Sequence, residues 1–289
     1  MPHLKHIQDP HAFPKQAVLF LDRVAQRIAD DPLTNMYPQD LATAAWALAT
    51  TGRATSTTFS AIARELGRNS TLDQMTPQLF SRMAWSFAVL GGGPPAELNV
   101  DSEFTTRCLE VARSRRTTDD CLCQLHIWML WLDEVKNENL QPEIPASLQK
   151  RCRDAFVENE GRLSPSQSKL HEENRKCMRY LGFHCREEFV TPLGYSVDIE
   201  AKWPTEERKT TFDAVPHKLW IEIDGPTHYL GGGSSPDGGT SLKRRLLRQH
   251  TPLVSIPYWE WSSQAQKLYN GSKELRQRQC DYLIQKLSV

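Results

Sequence analysis

The sequence predicts α-helical repeats of solenoid type followed by an α/β domain, and three observations carry that prediction. A pattern at residues 36–52 recurs at 75–91, an offset of 39 residues. Two segments in the C-terminal third, 195–202 and 218–224, alternate polar and apolar side chains with the period of a strand. A chain of 289 residues is long enough for one or two domains, each with its own core.

The repeat is legible from both its ends and its faces. Pro38 and Pro77 suit the first helical turn, where a missing N–H costs nothing, and Gly52 and Gly91 suit the position just past the last turn. Between them Leu41, Ala45, Leu48 and Ala49 form an apolar stripe, matched at the same offset by Phe80, Ala84, Phe87 and Ala88. Each stripe needs a neighbouring helix to cover it. A second helix is expected from Phe59 to Leu66, with Phe20 lying 39 residues before Phe59 and Val18–Ile28 as its equivalent. A degenerate third unit is expected over 104–113 and 121–135, carrying Trp128 and Trp131. Trp46 and Trp85 occupy equivalent positions and are expected to be buried between stacked units rather than open to a base. The array is thus placed at 15–140, with connections at 91–95 and 137–145.

The second domain is placed at 164–288 and opens with a helix over 164–181. In the strand at 218–224, Leu219, Ile221 and Ile223 share one face, and Trp220, Glu222 and Asp224 share the other. Asp198 on the preceding strand is placed to join the two acids, and Gly225-Pro226 ends the run. Between the strands, residues 203–217 form a polar, solvated excursion. The glycine-rich stretch 231–239 lacks the Gly-Lys-Ser/Thr of a phosphate cradle and is expected to be a mobile loop. A helix then carries Lys243, Arg244, Arg245 and Arg248, with Leu242, Leu246 and Leu247 inward, before a strand at 252–257. Tyr258, Trp259 and Trp261 follow, and continuation of the strand would set the two tryptophans on one face.

Composition sets limits. Lysine plus arginine total 35 and aspartate plus glutamate total 35, so affinity for nucleic acid must come from local patches and not from bulk charge. Seven cysteines form no C-x-x-C pair, which fits a reducing compartment and argues against a zinc site at Cys121 and Cys123. No run approaches the roughly 20 apolar residues of a membrane span, so no membrane partner is expected. Asp9, Asp22, Asp30 and Asp31 make the start too acidic for a transit peptide, which is expected to be absent or already removed.

Four runs carry a family resemblance: Gly194-Tyr-Ser-Val-Asp-Ile199, Ile221-Glu-Ile-Asp-Gly-Pro-Thr-His228, Leu242-Lys-Arg-Arg-Leu-Leu247 and Val254-Ser-Ile-Pro-Tyr-Trp-Glu-Trp261. Over about 164–288 the chain resembles the RAP domain, the RNA-binding domain abundant in Apicomplexans. That resemblance implies a restriction-endonuclease-like α/β fold of PD-(D/E)XK type, similar in layout to the very-short-patch repair nuclease. The helical repeats are similar to the octotricopeptide type that precedes such domains. A mitochondrial or plastid location is implied, with RNA of an organelle (mRNA or rRNA) and proteins of a ribonucleoprotein, such as the mitochondrial ribosome, as partners.

Two site assignments follow from the resemblance. For RNA they are Lys243, Arg244, Arg245, Arg248 and Tyr258, with no cofactor. For a nuclease they are Asp198, Glu222 and Asp224 as ligands of Mg2+, with His228 as general acid or base. Asp224 stands where that motif expects lysine, so Lys243 or Arg244 would have to supply the displaced positive charge. A pure protein-interaction scaffold is the third class.

Overall fold

A computed structural model describes residues 15–30, 36–53, 55–67, 69–91, 103–135, 143–163, 169–203, 216–261 and 272–287. Most of the expected connections, at 92–95, 137–142 and 204–215, lie outside the described residues. So does the start of the helix expected from 164. Described residues up to Phe156 group with Thr227–Lys243 as one unit, and Val157–Pro226 groups with the rest as another. The described residues are mostly helical, with one small mixed sheet.

In the first unit, α1 (Lys15–Asp30), α2 (Pro38–Thr50), α3 (Ser56–Leu66), the short α4 (Asn69–Leu72), α5 (Pro77–Leu90), α6 (Glu103–Arg113) and α7 (Asp119–Val135) follow one another. α5 packs between α2 and α7, while α1 lies against α3, and α6 against α4, α5 and α7. Both apolar stripes are buried, from Leu41 to Ala49 and from Phe80 to Ala88. Phe87 meets Phe59 edge-on at 5.3 Å and Phe104 at 5.9 Å between ring centroids. Thr55 and Thr76 cap α3 and α5 by accepting the Thr58 and Leu79 amides. Gly52, at φ +63°, closes α2 by the expected device. Its own N–H donates to Ala49 O and that of Arg53 to Leu48 O, two carbonyls that the helix leaves open.

Two expectations about aromatic residues fail here. Trp46 is 43% exposed and Trp85 is half-buried. Each follows its stripe residue by one position, which rotates it about 100° off the buried face. Phe20 is exposed although Phe59 is fully buried, so the offset of 39 carries sequence position back to α1 but not its packing.

The glycine-rich stretch is folded rather than a mobile loop. Tyr229 pairs with Pro236, Leu230–Gly232 is a 3-10 turn, and Asp237 accepts the Thr240 amide at 2.6 Å to start the helix α10 (Gly238–Arg248). Gly238 lies against the ends of α2 and α5, so close that a Cβ there would fall 2.2 Å from Ala49 O.

The second unit is built on a sheet of order β1-β2-β3-β4: β1 (His184–Val190), β2 (Ser196–Lys202), β3 (Lys218–Asp224) and β4 (Leu253–Pro257). The first three run antiparallel, and β4 joins β3 in parallel after the α10 crossover. α8 (Ala146–Leu163) and α9 (Lys169–Tyr180) precede the sheet, and α11 (Ser272–Leu287) follows it. Leu219, Ile221 and Ile223 do share the core face, with Ile199, Ala201, Val254 and Ile256, and α9 and α11 cover it through Met178 and Leu283. The opposite face of β3 is also buried at Trp220, Glu222 and Asp224. The strand after α10 stops at Pro257, and 258–261 form a helical turn, so Trp259 and Trp261 do not share a strand face. Trp261 joins the core and donates its indole N–H to Glu173, while Trp259 is half-buried.

Candidate functional site

Asp198, Glu222 and Asp224 stand on adjacent strands of one sheet, each with its own local bonding. β2 and β3 pair from Lys202↔Lys218 to Ile199↔Ile221, and the paired register ends there. Just past that point Asp198 Oδ2 accepts the Ile223 N–H at 2.5 Å, giving the strand a side-chain acceptor where the ladder stops. Glu222 is buried and lies in register with Ser255 of β4. Asp224 accepts Arg244 Nη2 at 2.6 Å and the Ser255 hydroxyl. Its side chain is 1% exposed and that of Arg244 is 12% exposed, so the guanidinium neutralises a carboxylate that has left water. Arg244 is therefore turned in towards β3 and not out towards a phosphate path.

The remaining predicted residues fall on α10, on a 3-10 turn before it and just after β4. Lys243 and Arg245 are half-buried and Arg248 is exposed. Arg245 lies near enough to Tyr195 to oppose the upward shift that burial and Glu160 impose on the phenol. Tyr258 is half-buried and stacks edge-on with Trp259 at 5.2 Å. His228 Nδ1 lies 3.4 Å from Thr240 Oγ1, and both belong to the first unit with Lys243, whereas the three acids belong to the second.

Three donor groups do converge, and sequence pattern did not pick out two of them. His171 of α9, Glu188 of β1 and Asp198 of β2 offer ligand atoms within 4.8 Å of one another, all half-buried, with His171 Nε2 3.8 Å from Asp198 Oδ1. One imidazole and two carboxylates suit a divalent cation of the first transition row. Glu188 sits at φ +47°, rare for a residue with a Cβ. β1 shows no clean alternation in HCREEFV, so neither the strand nor Glu188 stood out. His171 carried no signal beyond its place in a helical stretch.

A second cluster surrounds Glu200, whose side chain is 1% exposed. Lys202 Nζ and Lys218 Nζ each lie 3.1 Å from a carboxylate oxygen and Arg186 Nη1 lies 3.6 Å away. Burial pushes the Glu200 carboxyl up, but hydrogen bonds and charge from Lys202 and Lys218 outweigh it and hold the group below the ordinary glutamate range. Beside it Arg186 lies 4.7 Å from the Phe189 ring centroid and Lys218 lies 5.5 Å from that of Trp220.

Residues 221–270 match the RAP domain family model, a span that holds the last four residues of β3 and all of α10 and β4. Over 208 residues, 68% of this chain, the sequence is 27% identical to the RAP domain-containing protein, chloroplastic, of Oryza sativa subsp. japonica. The match covers 28% of that relative's length. Among the described residues, no helix is long and apolar enough to cross a membrane.

Proposed function

We propose that the protein binds RNA in an organelle, mitochondrion or plastid, and acts in RNA processing, stability or translation or as part of a ribonucleoprotein such as the mitochondrial ribosome. The match of residues 221–270 to the RAP domain carries this reading, and the chloroplastic relative supports the organelle. On this reading α1–α7 are degenerate repeats of octotricopeptide type that also contact protein partners. Lys243, Arg245, Arg248 and Tyr258 are the residues on and after α10 that would meet the sugar-phosphate chain, because Arg244 is committed to Asp224.

The test is a titration of labelled single-stranded RNA at several salt concentrations. The combined change Lys243→Ala, Arg245→Ala and Arg248→Ala is expected to weaken binding alike for all sequences and to lower the salt slope by up to about 2 units. An unchanged slope would move binding off α10, and absence of affinity at low salt would favour a protein scaffold.

A metal-dependent nuclease is the second reading, favoured by the donor set His171, Glu188 and Asp198. That set fits a divalent cation, which would polarise a phosphoryl oxygen and acidify a water. Asp224 fits this role poorly because Arg244 neutralises it. In this reading Asp198 positions β3 through Ile223 as well as offering its second oxygen. Cleavage that requires Mg2+ or Mn2+ and disappears in Asp198→Asn, which keeps an acceptor for the Ile223 amide, would establish it.

A further inference from the structure

We infer that single-stranded RNA makes a second contact on the sheet face built by Arg186, Phe189, Lys202 and Lys218, with a base stacked on the Arg186 guanidinium and a phosphate held by the two lysines. This rests on the RNA reading above and adds to it a surface outside residues 221–270.

The geometry comes from one inverted residue. Arg186 and Phe189 are three apart on β1, so alternation alone would set them on opposite faces. They nevertheless share one, with Arg186 over the Phe189 ring at 4.7 Å and Phe189 6.4 Å from Trp220. Glu188, at φ +47°, makes the inversion, while pairing with β2 keeps the same register on either side, Glu187↔Ile199 and Phe189↔Val197. The unusual backbone is thus not needed to hold the register. Its consequence is to bring an aromatic ring under a guanidinium.

The charges are arranged against strand stability in the same place. Lys202 and Lys218 are direct cross-strand partners, a position that like charges disfavour. Buried Glu200 lies between them and relieves the repulsion, yet three cations exceed its single charge by two. All three remain open to solvent, with side chains of Arg186, Lys202 and Lys218 66%, 42% and 40% exposed.

An excess of fixed positive charge beside a flat stacking plane fits a ligand with both phosphates and π-faces. Bases stack on guanidinium planes as well as on rings, and Phe189 supports the plane from beneath. An acidic peptide would satisfy the lysines but would leave the plane unused.

The experiment is fluorescence anisotropy of a labelled oligouridine with the full chain across a salt series. Arg186→Lys keeps the charge and removes the plane. It is expected to weaken binding about 5- to 100-fold with the salt slope unchanged. A triple variant, Glu200→Gln with Lys202→Gln and Lys218→Gln, avoids stranding a buried carboxylate. It is expected to lower the slope by up to about 0.7 units, the share of one phosphate on a single strand. Wild-type binding that neither variant alters would overturn this surface and leave the RNA reading standing, whereas no wild-type binding at low salt would overturn both. Binding of polyglutamate with the same dependence on Arg186 would overturn the assignment to RNA. Matching thermal melts of the variants and wild type exclude unfolding as the cause.

Discussion

Arg244 donates to Asp224 Oδ2 at 2.6 Å, and this contact turns what looks like a basic face of α10 into part of the support for β3. Arg244→Ala leaves a carboxylate 1% exposed without its counter-charge. The cost is expected to be about 3–5 kcal/mol. Exposed Arg248→Ala should change stability by no more than about 0.5 kcal/mol. Urea unfolding of the two variants checks this, and equal costs would mean that Arg244 is not the inward cation.

Gly238 is expected to tolerate no side chain. A Cβ would stand 2.2 Å from Ala49 O and 2.8 Å from Val89 Cγ1, and the nearer obstacle is backbone that cannot swing aside. Gly238→Ala should cost about 1–3 kcal/mol through overpacking. Gly161 in α8 has nothing within 4 Å of its Cβ position, so Gly161→Ala should stabilise by about 0.5–1 kcal/mol. Thermal melts of both variants give the contrast.

Phe87 is 1% exposed and joins two aromatic neighbours, Phe59 and Phe104. Replacing it with alanine should cost about 3–5 kcal/mol in denaturant unfolding. A cost below about 0.5 kcal/mol would refute its place in the core of the first unit.

Glu200 links stability to acid pH. Its carboxyl is held below the ordinary value of 4.5 in the folded chain, so the folded state binds fewer protons than the unfolded one. The stabilisation is complete above 4.5 and is lost as pH falls through the lower, folded value. Unfolding free energy measured from neutral to acid pH should therefore fall less steeply in Glu200→Gln than in wild type. An identical profile would remove Glu200 from the acid response.

Elements whose cause is local were legible in the sequence. Pro38 and Pro77 start two helices, and Gly52 closes the first through a left-handed turn. The period of the stripes marks which residues are covered, and alternation at 218–224 sorts Leu219, Ile221 and Ile223 from Trp220, Glu222 and Asp224. Each depends on neighbours within a turn or a strand. What lies over a face was decided only by tertiary structure. Alternation separates the acids from the core face but does not say that Glu222 and Asp224 are buried too, nor that Arg244 and not solvent meets Asp224. His171, Glu188 and Asp198 come from three elements, and the backbone inversion at Glu188 breaks the very alternation from which β1 would have been recognised. Contacts between residues distant in sequence leave no period in it, because they arise from the packing of whole helices and strands.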